Sequence, residues 1–291
     1  MTTHAEYVRD IEQRLRTIFY GNSGVQAESM CYSLLAGGKR LRPAMLLAAV
    51  EMLGGSVEEA MIPACAIEMI HTYSLIHDDL PGMDDDTLRR GVPTNHVVYG
   101  VGQAILAGDG LLTHAFQIMA ENALNYPEHA VRHIWAIREI ASGAGVNGMI
   151  QGQSLDLLCE KEGGGANELE LIHLGKTAAM FRAALRAGGR IAGADDGELY
   201  ALTEFARNYG LLFQYADDIM DVVSSAAKMG KSIGKDEKSG KLTAVSLYGL
   251  DGAKERCRTL YNDAVDALRA FGGRGEYLFH AAQDCVEKID L

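Results

Sequence analysis

Basic charge is in short supply: 27 lysines and arginines stand against 39 aspartates and glutamates, a formal net charge of −12 over 291 residues. A surface of that sign repels nucleic acid and anionic membranes, so neither is expected as the main partner. Cysteine is scarce too. Cys31, Cys65, Cys159, Cys257 and Cys285 are odd in number and form no C-x-x-C pair, which argues against a disulfide framework or a zinc ribbon and fits a reducing, cytoplasmic setting. Long apolar runs are missing. The longest, Pro43 to Val50, stops at Glu51, far short of the roughly 20 residues of a membrane-spanning helix. The first 21 residues mix charge with apolar residues at helical spacing, without the basic start and apolar stretch of a signal peptide. Alternating β-branched stretches are absent as well, which argues against a sheet.

What is there reads as helix. Apolar residues recur every three or four positions, as in Ile11, Leu15 and Ile18 and again in Leu169, Ile172, Ala179 and Leu185. Proline occurs 5 times and glycine 33 times, so glycine is the punctuation. Its clusters, Gly37-Gly38, Gly54-Gly55, Gly163 to Gly165, Gly188-Gly189 and Gly272-Gly273, are expected to end helices. With 48% hydrophobic residues and no linker or composition break, the expectation is an all-α fold: one large helical bundle, a single domain over residues 1–291.

Two acidic clusters interrupt this pattern. Asp78, Asp79, Asp84, Asp85 and Asp86 follow an apolar helix that Pro81 prevents from continuing undisturbed past Leu80. In "QYADDIMD", Gln214, Asp217, Asp218 and Asp221 recur at spacings of three and four, near one helix face between apolar flanks. Like charges so placed destabilise a helix by about 0.2–0.5 kcal/mol per pair, a cost that a bound cation removes. Neither cluster has the D-x-D-x-D-G pattern of a calcium loop, whereas magnesium suits a few carboxylates completed by water and substrate phosphate. Groups suited to phosphate are present: Lys39 and Arg42 in "GGKRLRP", Arg89 and Arg90, Lys176, and Lys231, Lys235 and Lys241. The spacing of "GGKR" is not that of a nucleotide-binding P-loop.

Taken in order, "GGKRLRP" (37–43), "EMIHTYSLIHDDLPGMDDDTLRRG" (68–91), "AILAGDGLL" (104–112), "GQSLDL" (152–157), "GKT" (175–177), "FQYADDIMD" (213–221) and "GKDEKSGKLT" (234–243) make the chain closely similar to the trans-isoprenyl diphosphate synthases. The resemblance is to the bacterial short-chain farnesyl diphosphate synthase type, with the geranylgeranyl type as the alternative. It implies helices around a deep central cavity, with the two Asp-rich motifs facing each other across its mouth. Asp78 and Asp84 would hold two magnesium ions and Asp217 a third, with Asp79, Asp156, Asp218 and Asp221 behind them. Arg89, Lys176 and Lys235 would clamp the allylic diphosphate, and Lys39, Arg42, His71 and Arg90 would take isopentenyl diphosphate. The backbone near Lys176, the Thr177 hydroxyl and the Gln214 amide would steady the carbocation.

Product length in that family is set below the first motif, which singles out Tyr73 and Ser74; a tyrosine at the fifth position before Asp78 suggests a C15 stop, while the small Ser74 leaves a path to C20. The resemblance also implies a homodimer. Two departures stand out: "KLTAV" replaces a Thr-Tyr-Pro segment, and no basic residue occupies the last three positions. A class I terpene synthase needs one diphosphate site, against which "GGKRLRP" and the Arg89-Arg90 pair argue. A catalytically silent partner subunit loses carboxylates, and here both clusters are complete. Elsewhere, His129 and His133 lack the Glu of H-E-x-x-H and are expected at the surface, His77 is expected to make a helix-packing hydrogen bond, and the methionines read as core filler.

Overall fold

The computed structural model describes residues 2–228 and 242–291, so Lys231, Lys235 and Lys241 lie outside the described residues. Helices make up nearly all of it: α1 (His4–Ile18), α2 (Val25–Leu34), α3 (Leu41–Met52), α4 (Val57–Asp78), α5 (Asn95–Tyr99), α6 (Val101–Asn125), α7 (Ala130–Ala144), α8 (Met149–Glu162), α9 (Ala166–Ile172), α10 (Ala179–Ala192), α11 (Asp196–Lys228), α12 (Ala244–Ala267) and α13 (Glu276–Glu287). A π-helix (His173–Ala178) joins α9 to α10, and 3-10 turns cover Pro127–His129 and Leu268–Gly275. The expected all-α class is what forms. No helix among the described residues is long and apolar enough to cross a membrane, and all five cysteines are free.

Packing divides the chain into two compact units, Met1–Arg138 with Arg190–Gly193, and Glu139–Gly189 with Ala194–Leu291. In the first unit α4 is the central element. Ser56 caps its start by accepting from the Glu59 amide at 3.3 Å, and fourteen of its 22 residues are buried, glutamates included. Pro63 sits inside it, where the ring cannot donate to the Glu59 carbonyl one turn back. The Asn122 side-chain amide from α6 donates to that carbonyl instead, at 3.0 Å, so the defect is filled from a neighbouring helix.

The same turn corrects the reading of His133, whereas His129 keeps 42% of its side chain exposed. His133 is only 1% exposed and hydrogen-bonds the Glu59 carboxylate at 2.8 Å, and His129 reaches the same oxygen at 2.9 Å. Tyr126 stacks on His133. A buried carboxylate needs donors, and these imidazoles are the nearest ones. Gly188 and Gly189 are a second correction, since they lie within α10 rather than ending it. A Cβ on Gly189 would stand 2.9 Å from Leu202, so this glycine serves close helix packing. The methionines do fill the core, among them Met45, Met69 and Met180, each fully buried.

In the second unit α11 and α12 form the main pair, with Tyr209, Phe181 and Phe205 as the largest wholly buried rings. Phe205 stacks on Tyr209 and Phe181 meets it edge-on, a geometry that favours the aromatic quadrupoles.

Candidate active site

α4 ends where the first acidic motif begins. Its last residue is Asp78, and the backbone then turns back so that the Asp84 amide donates to the Asp78 carbonyl at 2.8 Å. The two carboxylates that the sequence singles out therefore share one tight turn. Asp85 in that turn takes φ 50°, in the left-handed region, where a non-glycine side chain is strained. Asp79 points inward and is 3% exposed, and Arg89 grips it with contacts of 2.6–3.0 Å. Burial lifts the Asp79 carboxyl above the usual carboxylate range, with Arg89 pulling the other way. Among the described residues no three His, Cys, Asp or Glu side chains converge into a full metal-binding group. The donor set still suits magnesium, which takes one or two carboxylates and completes its octahedron with water and phosphate.

Arg89 and Arg90 arrive on a two-stranded hairpin, β1 (Leu88–Arg89) and β2 (Val92–Pro93), that the sequence pattern did not announce. Arg90 and Gly91, between the strands, take φ 54° and 81°, the double positive φ of a type I′ turn. The Arg90 guanidinium lies against the Gly37 carbonyl and over Gly38, next to Lys39. Arg42, in the first turn of α3, approaches His71 of α4 at 3.5 Å. Desolvation and then the charges of Arg42, Arg90, Arg89 and Arg40 hold the His71 imidazole well below its ordinary pKa. His71 is thus a neutral group inside a cationic cluster, beside a loop that also carries Lys39.

Arg40 is the residue that sequence reasoning missed. It is 2% exposed, takes φ 48° at the start of α3, and bonds Glu12 at 2.7 Å, Glu68 at 2.6 Å and the Leu34 carbonyl at 2.6 Å. It anchors the loop that presents Lys39 and Arg42. Its partners lie 28 residues away on either side, so no local signal marks it.

Tyr73 is 6% exposed, and its ring meets His77 edge-on at 5.7 Å. His77 in turn makes the expected packing bond, to the Ile105 carbonyl at 3.1 Å, across a gap that only Gly108 leaves open. Ser74 turns its hydroxyl back to the His71 carbonyl at 2.8 Å.

The second unit carries the other motifs. Gly152 of α8 lies so close to the π-helix that a Cβ would overlap the Lys176 amide nitrogen, and Gly175 returns the contact. Asp156, one turn beyond Gly152, then meets the Lys176 ammonium at 2.7 Å. π-helical turns are rare and concentrate at functional sites; this one carries His173, Lys176 and Thr177. Thr177 donates to the Gln214 amide oxygen at 2.9 Å, and Gln214 donates to Asp218 at 3.2 Å. The acidic residues on α11 share a helix face but not a setting: Asp217 is exposed, whereas Asp218 is 8% exposed and accepts from the Ala244 amide at 2.7 Å, at the start of α12. Asp221 is half-buried. Burial pushes the His173 imidazole down to about 4, so it is neutral, with Nε2 3.9 Å from Asp218. Lys235 lies outside the described residues.

Known proteins are similar to this chain in sequence and in fold. The polyprenyl synthetase family profile matches residues 25–270. The chain is 41% identical over 274 residues to the geranylgeranyl diphosphate synthase of Cyanophora paradoxa, covering 94% of this chain and 91% of that protein. It is 49% identical over 229 residues to the farnesyl diphosphate synthase of Geobacillus stearothermophilus, covering 79% and 77%. Among solved structures, a farnesyl/geranylfarnesyl diphosphate synthase from Zymomonas mobilis superposes with a TM-score of 0.86 at 32% identity over 97% of both chains. With this fold and these motifs, the chain belongs to the polyprenyl synthetase family, the trans-isoprenyl diphosphate synthases, a family of prenyltransferases.

Proposed function

We propose that the chain, acting as a single domain over residues 1–291, condenses isopentenyl diphosphate with dimethylallyl and geranyl diphosphate to give farnesyl diphosphate. The observation that carries this reading is a second group of cations apart from the Asp-rich turn: Arg42 and Arg90 around neutral His71, beside Lys39. One diphosphate site serves ionisation alone, and two serve condensation. Magnesium, three ions in this proposal, would be held by Asp78, Asp84 and Asp217, with Asp79, Asp156, Asp218 and Asp221 behind them; bound there, it supplies Lewis acidity to the leaving diphosphate.

The chain's own groups do the rest. Arg89, Lys176 and Lys235 hold the allylic diphosphate and stabilise the charge that builds on it as the C1–O bond breaks. Lys39, Arg42, His71 and Arg90 hold isopentenyl diphosphate so that its double bond attacks C1. Because His71 is neutral, it offers a hydrogen bond without adding a proton source beside a carbocation. Thr177, Gln214 and the backbone at Lys176 steady the cation with oxygen dipoles, apolar walls keep water from it, and the released diphosphate takes the final proton. The protein works in this proposal as a cytoplasmic homodimer, for which the exposed apolar residues Val97, Val98, Val101 and Ile105 of α5 and α6 speak.

Tyr73, braced by His77, is the proposed floor that stops growth at C15. The geranylgeranyl reading is the alternative, supported by the Cyanophora relative's name and by the small Ser74 beside the floor. Chromatography of dephosphorylated products separates the two. Wild type is expected to give C15, and Tyr73→Ala to shift toward C20 and longer with little change in KM for the primer. An unaltered C15 profile from a folded Tyr73→Ala protein would locate the floor elsewhere, and a C20 profile from wild type would establish the alternative.

A further inference from the structure

The hydrogen-bond chain from the π-helix to α12 has a direction, and Asp218 sets it. An ionised carboxylate accepts and cannot donate, whereas an amide does both from different atoms. Asp218 receives the Ala244 backbone N–H at 2.7 Å on one oxygen and faces Gln214 at 3.2 Å with the other. Gln214 therefore turns its N–H toward Asp218, which leaves its oxygen toward Thr177. Thr177, 6% exposed, gives its only hydroxyl proton to that oxygen at 2.9 Å. Its Oγ is left with lone pairs for whatever lies beyond, which is the polarity a developing carbocation needs.

We propose that Asp218 is a positioning residue for the prenyl-transfer reaction: by holding the Gln214 amide in one orientation it commits the Thr177 hydroxyl proton and makes Thr177 Oγ an electron-rich group facing the cation. This rests on the assignment of Thr177 and Gln214 made above, and it gives Asp218 a task other than metal support. Capping α12 and orienting Gln214 are separable, because an asparagine oxygen still accepts from Ala244. In Asp218→Asn the Nδ2–H group then faces Gln214, which turns its oxygen to Asn and its own N–H to Thr177. The Thr177 proton is forced outward, toward the positive charge.

The test is steady-state kinetics on five purified proteins with geranyl and isopentenyl diphosphates across a magnesium titration. Asp218→Asn is expected to lower kcat at least tenfold, with KM values and the magnesium concentration for half-maximal rate unchanged within twofold. Adding Gln214→Glu restores an acceptor-only group between Thr177 and the asparagine, and kcat should recover at least fivefold. Because that change also restores a negative charge, Asp218→Asn is repeated in a Thr177→Val background, where its effect on kcat should shrink below threefold. The proposal is overturned if Asp218→Asn raises the magnesium requirement and recovers at saturating metal, if it leaves kcat intact, if Gln214→Glu fails to rescue, or if the Thr177→Val background leaves its effect undiminished. A wild-type protein without prenyl transfer would instead refute the proposed function. In that event the side-chain amide 15N resonance of Gln214 still reads the orientation, shifting in Asp218→Asn if Asp218 sets it and staying fixed if it does not.

Discussion

Asp217 and Asp218 are neighbours in sequence and opposites in setting, one exposed and the other buried under the start of α12. Exposed Asp217 is the one of the pair proposed as a metal ligand, a role in which its charge would serve function at the expense of stability. Asp78→Asn and Asp217→Asn should each cut turnover about a hundredfold or more, since each removes a proposed metal ligand, while the melting temperature holds or rises as like-charge repulsion is relieved. Near-native turnover in either variant would remove that residue from the metal site. His173 makes a pH prediction. Its folded pKa of about 4 lies below the ordinary 6.5, so between those values the unfolded chain binds the extra proton. Its contribution is fully present above about pH 6.5 and is lost as pH falls toward 4. His173→Gln should flatten the melting temperature across that window, and an unchanged slope would mean His173 is already charged in the fold. The acidic and basic residue types were legible in the sequence because their pattern is local. The buried states of Arg40, His133 and Asp218 were not, because each is decided by partners far along the chain: Glu12 and Glu68, Glu59, and Ala244.

The π-helix carries the residues to which the second unit's chemistry is assigned in the proposal, and Gly152 is what lets it sit against α8. Gly152→Ala drives a methyl into the Lys176 backbone. Overpacking of this kind costs about 1–3 kcal/mol, and the displaced Lys176 and Thr177 should lose activity out of proportion to the loss of stability. Thermal melts paired with kcat measurements check this; a variant with unchanged Tm and kcat would show that the approach is not as close as described. Helix existence was readable from apolar spacing, and α4 ends beside Pro81 as expected. The π turn carries no composition signal, and the I′ turn is hidden because arginine stands where asparagine usually does. Gly188-Gly189 misled because a glycine that ends a helix and one that lets two helices touch look alike in sequence.

At the scale of the whole molecule, the proposed reaction asks a chain of net charge −12 to handle two diphosphates. Its basic groups answer part of this: Arg42 and Arg90 put positive charge beside His71, and Arg89 and Lys176 are each held by a carboxylate, Asp79 and Asp156. Those two cations come with their own counter-ions, so an allylic diphosphate held as proposed would need added positive charge to bind. The proposed reaction therefore stands or falls on its dependence on a metal. The most direct measurement is a single turnover of geranyl diphosphate with labelled isopentenyl diphosphate, run with magnesium and again with excess chelator. The account predicts labelled C15 diphosphate with magnesium, none with chelator, and full recovery when magnesium is returned. Undiminished product in chelator would contradict it.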